Sequence, residues 1–160
     1  QAKFMDLKKN RADLELHLTG PLQTNKVKDA VKLFDIFHTL DREKLAKEFF
    51  KTGGLETKKF FIQVNTGKEK TKSGIYLEEL SQFINFCKFD LSLNIIGLMC
   101  IPPVNEQAKE HFSLLANEAK KNNLTHLSMG MSADYMDAIE LNASYIRIGT
   151  ALFGERKNEN

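Results

Sequence analysis

An α/β fold on a parallel sheet is what this sequence predicts, and three observations carry it. Six short runs rich in β-branched and aromatic residues alternate with amphipathic helical patterns along the chain. No hairpin turn signal joins one run directly to the next, so each connection returns through a helix. No low-complexity segment or linker divides the 160 residues, which read as one domain, residues 1–160. A doubly wound sheet and part of a (β/α)8 barrel both satisfy these facts.

The elements follow in order. Gln1 to Lys9 reads as a helix, and Leu14–Leu18 as the first strand. The second strand, Asp35–Leu40, leads into "DREKLAKEFFKTGG", where Leu45, Phe49 and Phe50 recur at helical spacing. Asp41 is placed to cap that helix, and Gly53–Gly54 to stop it. Lys59–Asn65 is the third strand, followed by the helical stretch "IYLEELSQFINFCK". Leu93–Met99 precedes "NEQAKEHFSLLANEAKKNN", a helix closed by Asn122 and Asn123. Thr125–Met129 then enters a turn at Gly130, with Ser132 predicted as a helix N-cap and Asp134 in the first turn. Ser144–Ile148 is the sixth strand.

The charge balance narrows the partners. Net charge is +2, from 23 basic and 21 acidic residues, and the lysines are interspersed with glutamates. That pattern is a solvated surface; neither nucleic acid nor membrane is indicated. No apolar run approaches the roughly 18 residues of a membrane span. Cys87 and Cys100 lie in apolar runs without CxxC spacing, as structural thiols in the reducing cytoplasm do. No GxGxxG or GxxxxGK[ST] follows any strand, which removes the simplest nucleotide sites.

In parallel α/β domains the working residues stand at the carboxyl ends of strands. His17 and His38 lie on strands without a third metal ligand and read as hydrogen-bonded core histidines. His111 falls on a helix that looks exposed and carries no signal. Ser132 adds a hydroxyl to a helix start, where unpaired N–H groups favour anions; taken alone it is a plain cap. Gly149 and Thr150 offer a second set of donors at the neighbouring strand end, and the pair suggests a phosphate site. Arg147, an obligate cation on an apolar strand two residues before Gly149, reads equally as a ligand contact or as half of a buried ion pair.

Three ordered motifs now bear on the question. "HLSMGMSADYMDAIELNASYIRIGTALFGER", residues 126–156, closely resembles the C-terminal signature of the pyridoxal phosphate homeostasis proteins. These are single-domain relatives of the barrel domain of alanine racemase. Residues 16–46, "LHLTGPLQTNKVKDAVKLFDIFHTLDREKLA", are similar to that family's "HxIGxLQxNK" segment, and residues 62–74, "IQVNTGKEKTKSG", to its middle motif. Pro21 departs from the family, where many members have histidine.

The resemblance implies a (β/α)8 barrel, here lacking its N-terminal strands, with about six βα units present. It implies pyridoxal 5′-phosphate as cofactor and partner, with Arg147 beside the pyridine nitrogen. Ser132, Gly149 and Thr150 match phosphate positions, with Met131, Asn65 and Lys72 near the site. An arginine stays protonated and discourages the ring nitrogen from taking its own proton, which blunts carbanion chemistry. Family members form a Schiff base from a lysine followed by "GEN"; that lysine is expected upstream of Gln1. Lys59 begins its strand and points to the wrong end of the barrel.

The function implied is a monomeric, non-enzymatic carrier or homeostasis protein for pyridoxal phosphate, without racemase activity. An amino-acid racemase-like enzyme is the alternative, though racemases add a second domain with a catalytic tyrosine, and two-base proton transfer needs a group on each substrate face. A phosphate-binding barrel of other purpose is a third reading.

Overall fold

The computed structural model describes residues 6–8, 10, 11 and 13–154. Residues 6–8 and 10 are helical; the other positions of the helix expected over Gln1 to Lys9, 1–5 and 9, lie outside the described residues. Six strands follow: β1 (His17–Leu18), β2 (Ile36–Leu40), β3 (Lys59–Gln63), β4 (Ile95–Met99), β5 (His126–Met131) and β6 (Tyr145–Arg147). They form one sheet in the order β1-β2-β3-β4-β5-β6, every adjacent pair parallel. The helices between them are α1 (Val27–Leu33), α2 (Glu43–Thr52), α3 (Leu77–Asn85), α4 (Ala108–Lys121) and α5 (Tyr135–Glu140); α6 (Thr150–Phe153) follows β6.

The sheet is a six-stranded arc of a (β/α)8 barrel, not a doubly wound sheet. A flat sheet of six strands would hold its edges roughly 24 Å apart, at about 4.8 Å per strand. Here the ring of Tyr145 on β6 lies 5.5 Å from that of His17 on β1. Only a curled sheet lets its two edge strands touch across the concave face. Register shifts between Phe37 and Leu40, between Phe60 and Phe61, and between Ser128 and Met131 accompany the bending.

The main core lies between the sheet and the helices. All five residues of β2 are buried, as expected of a strand covered on both faces. Phe37, Phe49 and Phe60 form its centre, with ring centroids 4.8, 5.3 and 4.9 Å apart. Each ring removed from water there contributes roughly 1.5–3 kcal/mol. A smaller cluster, Ile36, Phe61 and Met99 with Ile96 and Tyr145, fills the concave side. Gly97 is needed beside it, because an added Cβ would strike the His126 carbonyl and come within 2.7 Å of the Phe61 ring.

Three local expectations are corrected. Asp41 does not cap α2: its carboxylate is taken by Arg42, the actual N-cap residue, whose Nη2 also donates to Leu22 O at 2.9 Å. Ser132 does not cap a helix either. Asp134 Oδ1 accepts the Met131 N–H at 2.6 Å, which closes the turn, and α5 starts at Tyr135 with Asp134 as N-cap. His111 is buried, not exposed, and its Nε2 pairs with Glu106 at 3.0 Å. Gly53 and Asn122 end α2 and α4 as predicted.

Candidate functional site

Alternation along β6 puts Tyr145 and Arg147 on the concave face, with Arg147 toward the carboxyl-terminal mouth. Its Nη1 donates to Ser128 Oγ at 2.7 Å and its Nη2 to Cys100 O at 2.8 Å. Neither acceptor is charged, and among the described residues Arg147 enters no ion pair. Burial lowers its pKa, opposed by Cys100 and Asp134. Guanidinium remains protonated regardless. Among the described residues it is a cation held by neutral groups at the edge of a cavity.

That cavity, of about 490 Å³, is lined by His17, Thr19, His38, Tyr145, Arg147 and Gly149 among others. Next to it, backbone donors converge on one point. Ser132 Oγ accepts from Gly149 N–H at 3.4 Å and from Ala151 N–H at 3.2 Å. The hydroxyl thus occupies a position an anionic oxygen would favour. A Cβ added at Gly149 would meet nothing within 4 Å. Its φ is −120°, so neither backbone conformation nor a protein neighbour calls for glycine there. Thr150 heads α6 between the two donors, and Met131 ends β5 with its N–H already spent on Asp134.

Asn65 and Lys72 fall in a different cavity, about 530 Å³, lined also by Gln63, Glu69, Ser73 and Thr19. Thr19 borders both, so the two spaces meet at the mouth. Asn65 is committed to its own loop: Nδ2 donates to Glu69 O at 2.8 Å, and Oδ1 accepts from Glu69 N–H at 3.2 Å. Lys72 is exposed. The seven predicted residues therefore divide into a group of five around Arg147 and a pair across the mouth. A larger groove, about 1010 Å³ and lined by Arg42, Phe86 and Phe89, brings together none of them.

Behind Arg147 runs a chain that the sequence reading took as two separate core histidines. His38 Nδ1 lies 2.7 Å from Ser128 Oγ, His38 Nε2 lies 3.0 Å from His17 Nδ1, and His17 Nε2 lies 3.1 Å from Glu15 Oε1. His38 also stacks on Phe61, centroids 4.6 Å apart. Burial, reinforced by His17 and Arg147, lowers the His38 pKa to about 3, so the ring is neutral near pH 7. Burial pushes the Cys100 thiol up to about 12 and leaves it unreactive. Ser128 and Ala151 were missed. Ser128 had a signal, being a polar residue in the middle of an otherwise apolar strand, where it must find a partner.

These residues fit a flat heteroaromatic phosphate: a cationic donor for a ring acceptor, and a nearby set of N–H groups for the anion. Comparison with known proteins identifies the family. Residues 4–157 match the family "Alanine racemase, N-terminal domain". The pyridoxal phosphate homeostasis protein of Aquifex aeolicus is 40% identical over 158 residues, covering 91% of this chain and 68% of its own. That of Pseudomonas aeruginosa is 40% identical, covering 98% of this chain and 69% of its own. Among solved structures, PipY of Synechococcus elongatus without PLP superposes with a TM-score of 0.82 at 31% identity. That match covers 96% of this chain and 78% of PipY; the PLP-bound form gives 0.78 at 30%. With its motifs, its barrel arc and these relatives in agreement, the chain belongs to the alanine racemase N-terminal-domain family and, within it, to the pyridoxal phosphate homeostasis proteins.

Proposed function

We propose that this protein binds pyridoxal 5′-phosphate at the Arg147 cavity and serves its homeostasis as a carrier, without racemising amino acids. The observation that carries the reading is Arg147 itself: a half-buried guanidinium fixed by Ser128 and Cys100 O, one strand end from the Ser132 donor cluster. When bound, the cofactor supplies an aldehyde able to condense with amines, and its ring is the electron sink for any carbanion. Arg147 tempers that sink, since a permanent cation donating to the ring nitrogen keeps a second proton off it. Gly149 and Ala151 N–H groups, with the Ser132 hydroxyl, hold the phosphate. Met131 and Thr150 border it, and Asn65 and Lys72 face the mouth from the other side. The curated relatives reported above, both named pyridoxal phosphate homeostasis proteins, support the same reading. Two buried thiols, neither in a disulfide, favour a reducing cytoplasm.

The test is an absorbance titration with pyridoxal 5′-phosphate on the wild type and on Arg147→Gln, alongside an alanine racemisation assay. Saturable binding, weakened roughly tenfold or more by the substitution as expected for a charge-assisted hydrogen bond, supports the proposal. An unchanged affinity in Arg147→Gln, or measurable racemisation by the wild type, refutes it.

A further inference from the structure

Ser128, His38, His17 and Glu15 form a single file of hydrogen bonds from the amino-terminal rim of the sheet to Arg147 at its mouth. One set of tautomers satisfies every bond: with a carboxylate at Glu15 and a neutral His17 ring, His17 Nε2 donates to Glu15 and His17 Nδ1 accepts. His38 must then donate from Nε2 and accept at Nδ1. Ser128 gives its hydroxyl hydrogen to His38, which leaves its lone pairs for the Arg147 Nη1–H. No donor meets a donor anywhere along the file. Lys59 Nζ, 3.5 Å from Glu15 Oε2, anchors the accepting end.

We propose that Ser128 and His38, oriented by His17 and Glu15, are positioning residues that aim the Arg147 guanidinium at the ring nitrogen of the bound cofactor. The inference rests on the ring-nitrogen reading of Arg147 given above. Its geometric basis is separate. Arg147 has two fixed contacts, and one of them, the Cys100 carbonyl, is set by the main chain. Only the Ser128 hydroxyl can turn. A rotor beside a guanidinium holds it in one orientation when its own hydrogen has a fixed acceptor, and His38 Nδ1 is that acceptor. The stacking of His38 on Phe61, with Tyr145 edge-on at 5.7 Å, stops the imidazole from turning away.

The experiment compares two ligands: pyridoxal 5′-phosphate, and the analogue with carbon in place of the ring nitrogen. Dissociation constants for both are measured with the wild type, Arg147→Gln, Ser128→Ala, His38→Phe and His38→Asn. A positioning role predicts that Ser128→Ala and His38→Phe weaken the natural cofactor roughly three- to tenfold, the scale of one hydrogen bond. The carbon analogue should bind all variants alike. His38→Asn keeps an acceptor near the Nδ1 position and should return most of the loss. Equal weakening of both ligands would mean that Ser128 and His38 only support the fold, and would overturn the inference. Ser128→Ala, a small deletion in a buried strand, keeps the test available if His38→Phe fails to fold. If Arg147→Gln itself does not distinguish the two ligands, the reading of Arg147 fails. If it does while the other variants do not, only the positioning role fails.

Discussion

Burial pushes the His38 imidazole down to about 3, with His17 and Arg147 adding to the effect, whereas the unfolded chain titrates near 6.5. Below pH 6.5 the unfolded state takes up a proton that the folded state refuses, so stability falls with acidification and the loss ends near pH 3. Each pH unit in that window removes about 1.4 kcal/mol. Asp35, whose carboxyl is held below its ordinary 3.8 by the Leu16 N–H and Lys8 against the opposing effect of burial, adds its own loss only at lower pH. Urea unfolding between pH 7 and 5.5 therefore reads His38 ahead of the carboxyls held low by their partners, Asp35, Glu78 and Glu140. His38→Asn is expected to flatten the dependence over that range, and an unchanged slope would count against a neutral, buried ring. Arg147 was legible in the sequence because a cation in an apolar strand is conspicuous. Its partners were not, since one is a backbone carbonyl and the other a serine nineteen positions away.

At the level of elements, the six strands were legible because short runs rich in β-branched and aromatic residues alternate with amphipathic helical stretches. The turn after β5 was not. Ser132 and Asp134 both have N-cap chemistry, and only the spatial position of the Met131 N–H decides between them. Freed from capping, Ser132 is available to Gly149 and Ala151. Gly130 governs this turn: its φ is +91°, and an added Cβ would lie 2.6 Å from Ala138 Cβ. Gly130→Ala combines backbone strain with overpacking and should cost on the order of 2–4 kcal/mol. Gly20 has no such constraint, with nothing within 4 Å of its Cβ position, so Gly20→Ala serves as the control. Denaturant midpoints of the two variants check the contrast; equal shifts would show that the turn tolerates a side chain. The loop bolted by Asn65 was likewise invisible in sequence, because its amide bonds to backbone groups that only the folded loop presents.

For the whole molecule, periodicity predicted parallel βα units but left a doubly wound sheet and a barrel equally open. Curvature decides between them, and it comes from long-range packing on the concave face, Tyr145 against His17 above all. The resemblance to the homeostasis proteins supplied what periodicity lacked. The sequential strand order has a kinetic consequence. Each strand pairs with the next in the chain, so every pairing closes a single βα crossover and none spans several units. β2, β3 and β4 each have five residues and β5 six, and the Phe37–Phe49–Phe60 core ties β2 to β3, while β1 has two residues and β6 three. A nucleus on the middle strands would leave Arg147 and the Gly149 donors to form after the rate-limiting step. Pyridoxal 5′-phosphate should then slow unfolding in stopped-flow measurements while leaving the refolding rate unchanged. A ligand-accelerated refolding rate would place the site inside the nucleus instead. On this account the cofactor acts as a lock on the finished protein and not as a template for making it.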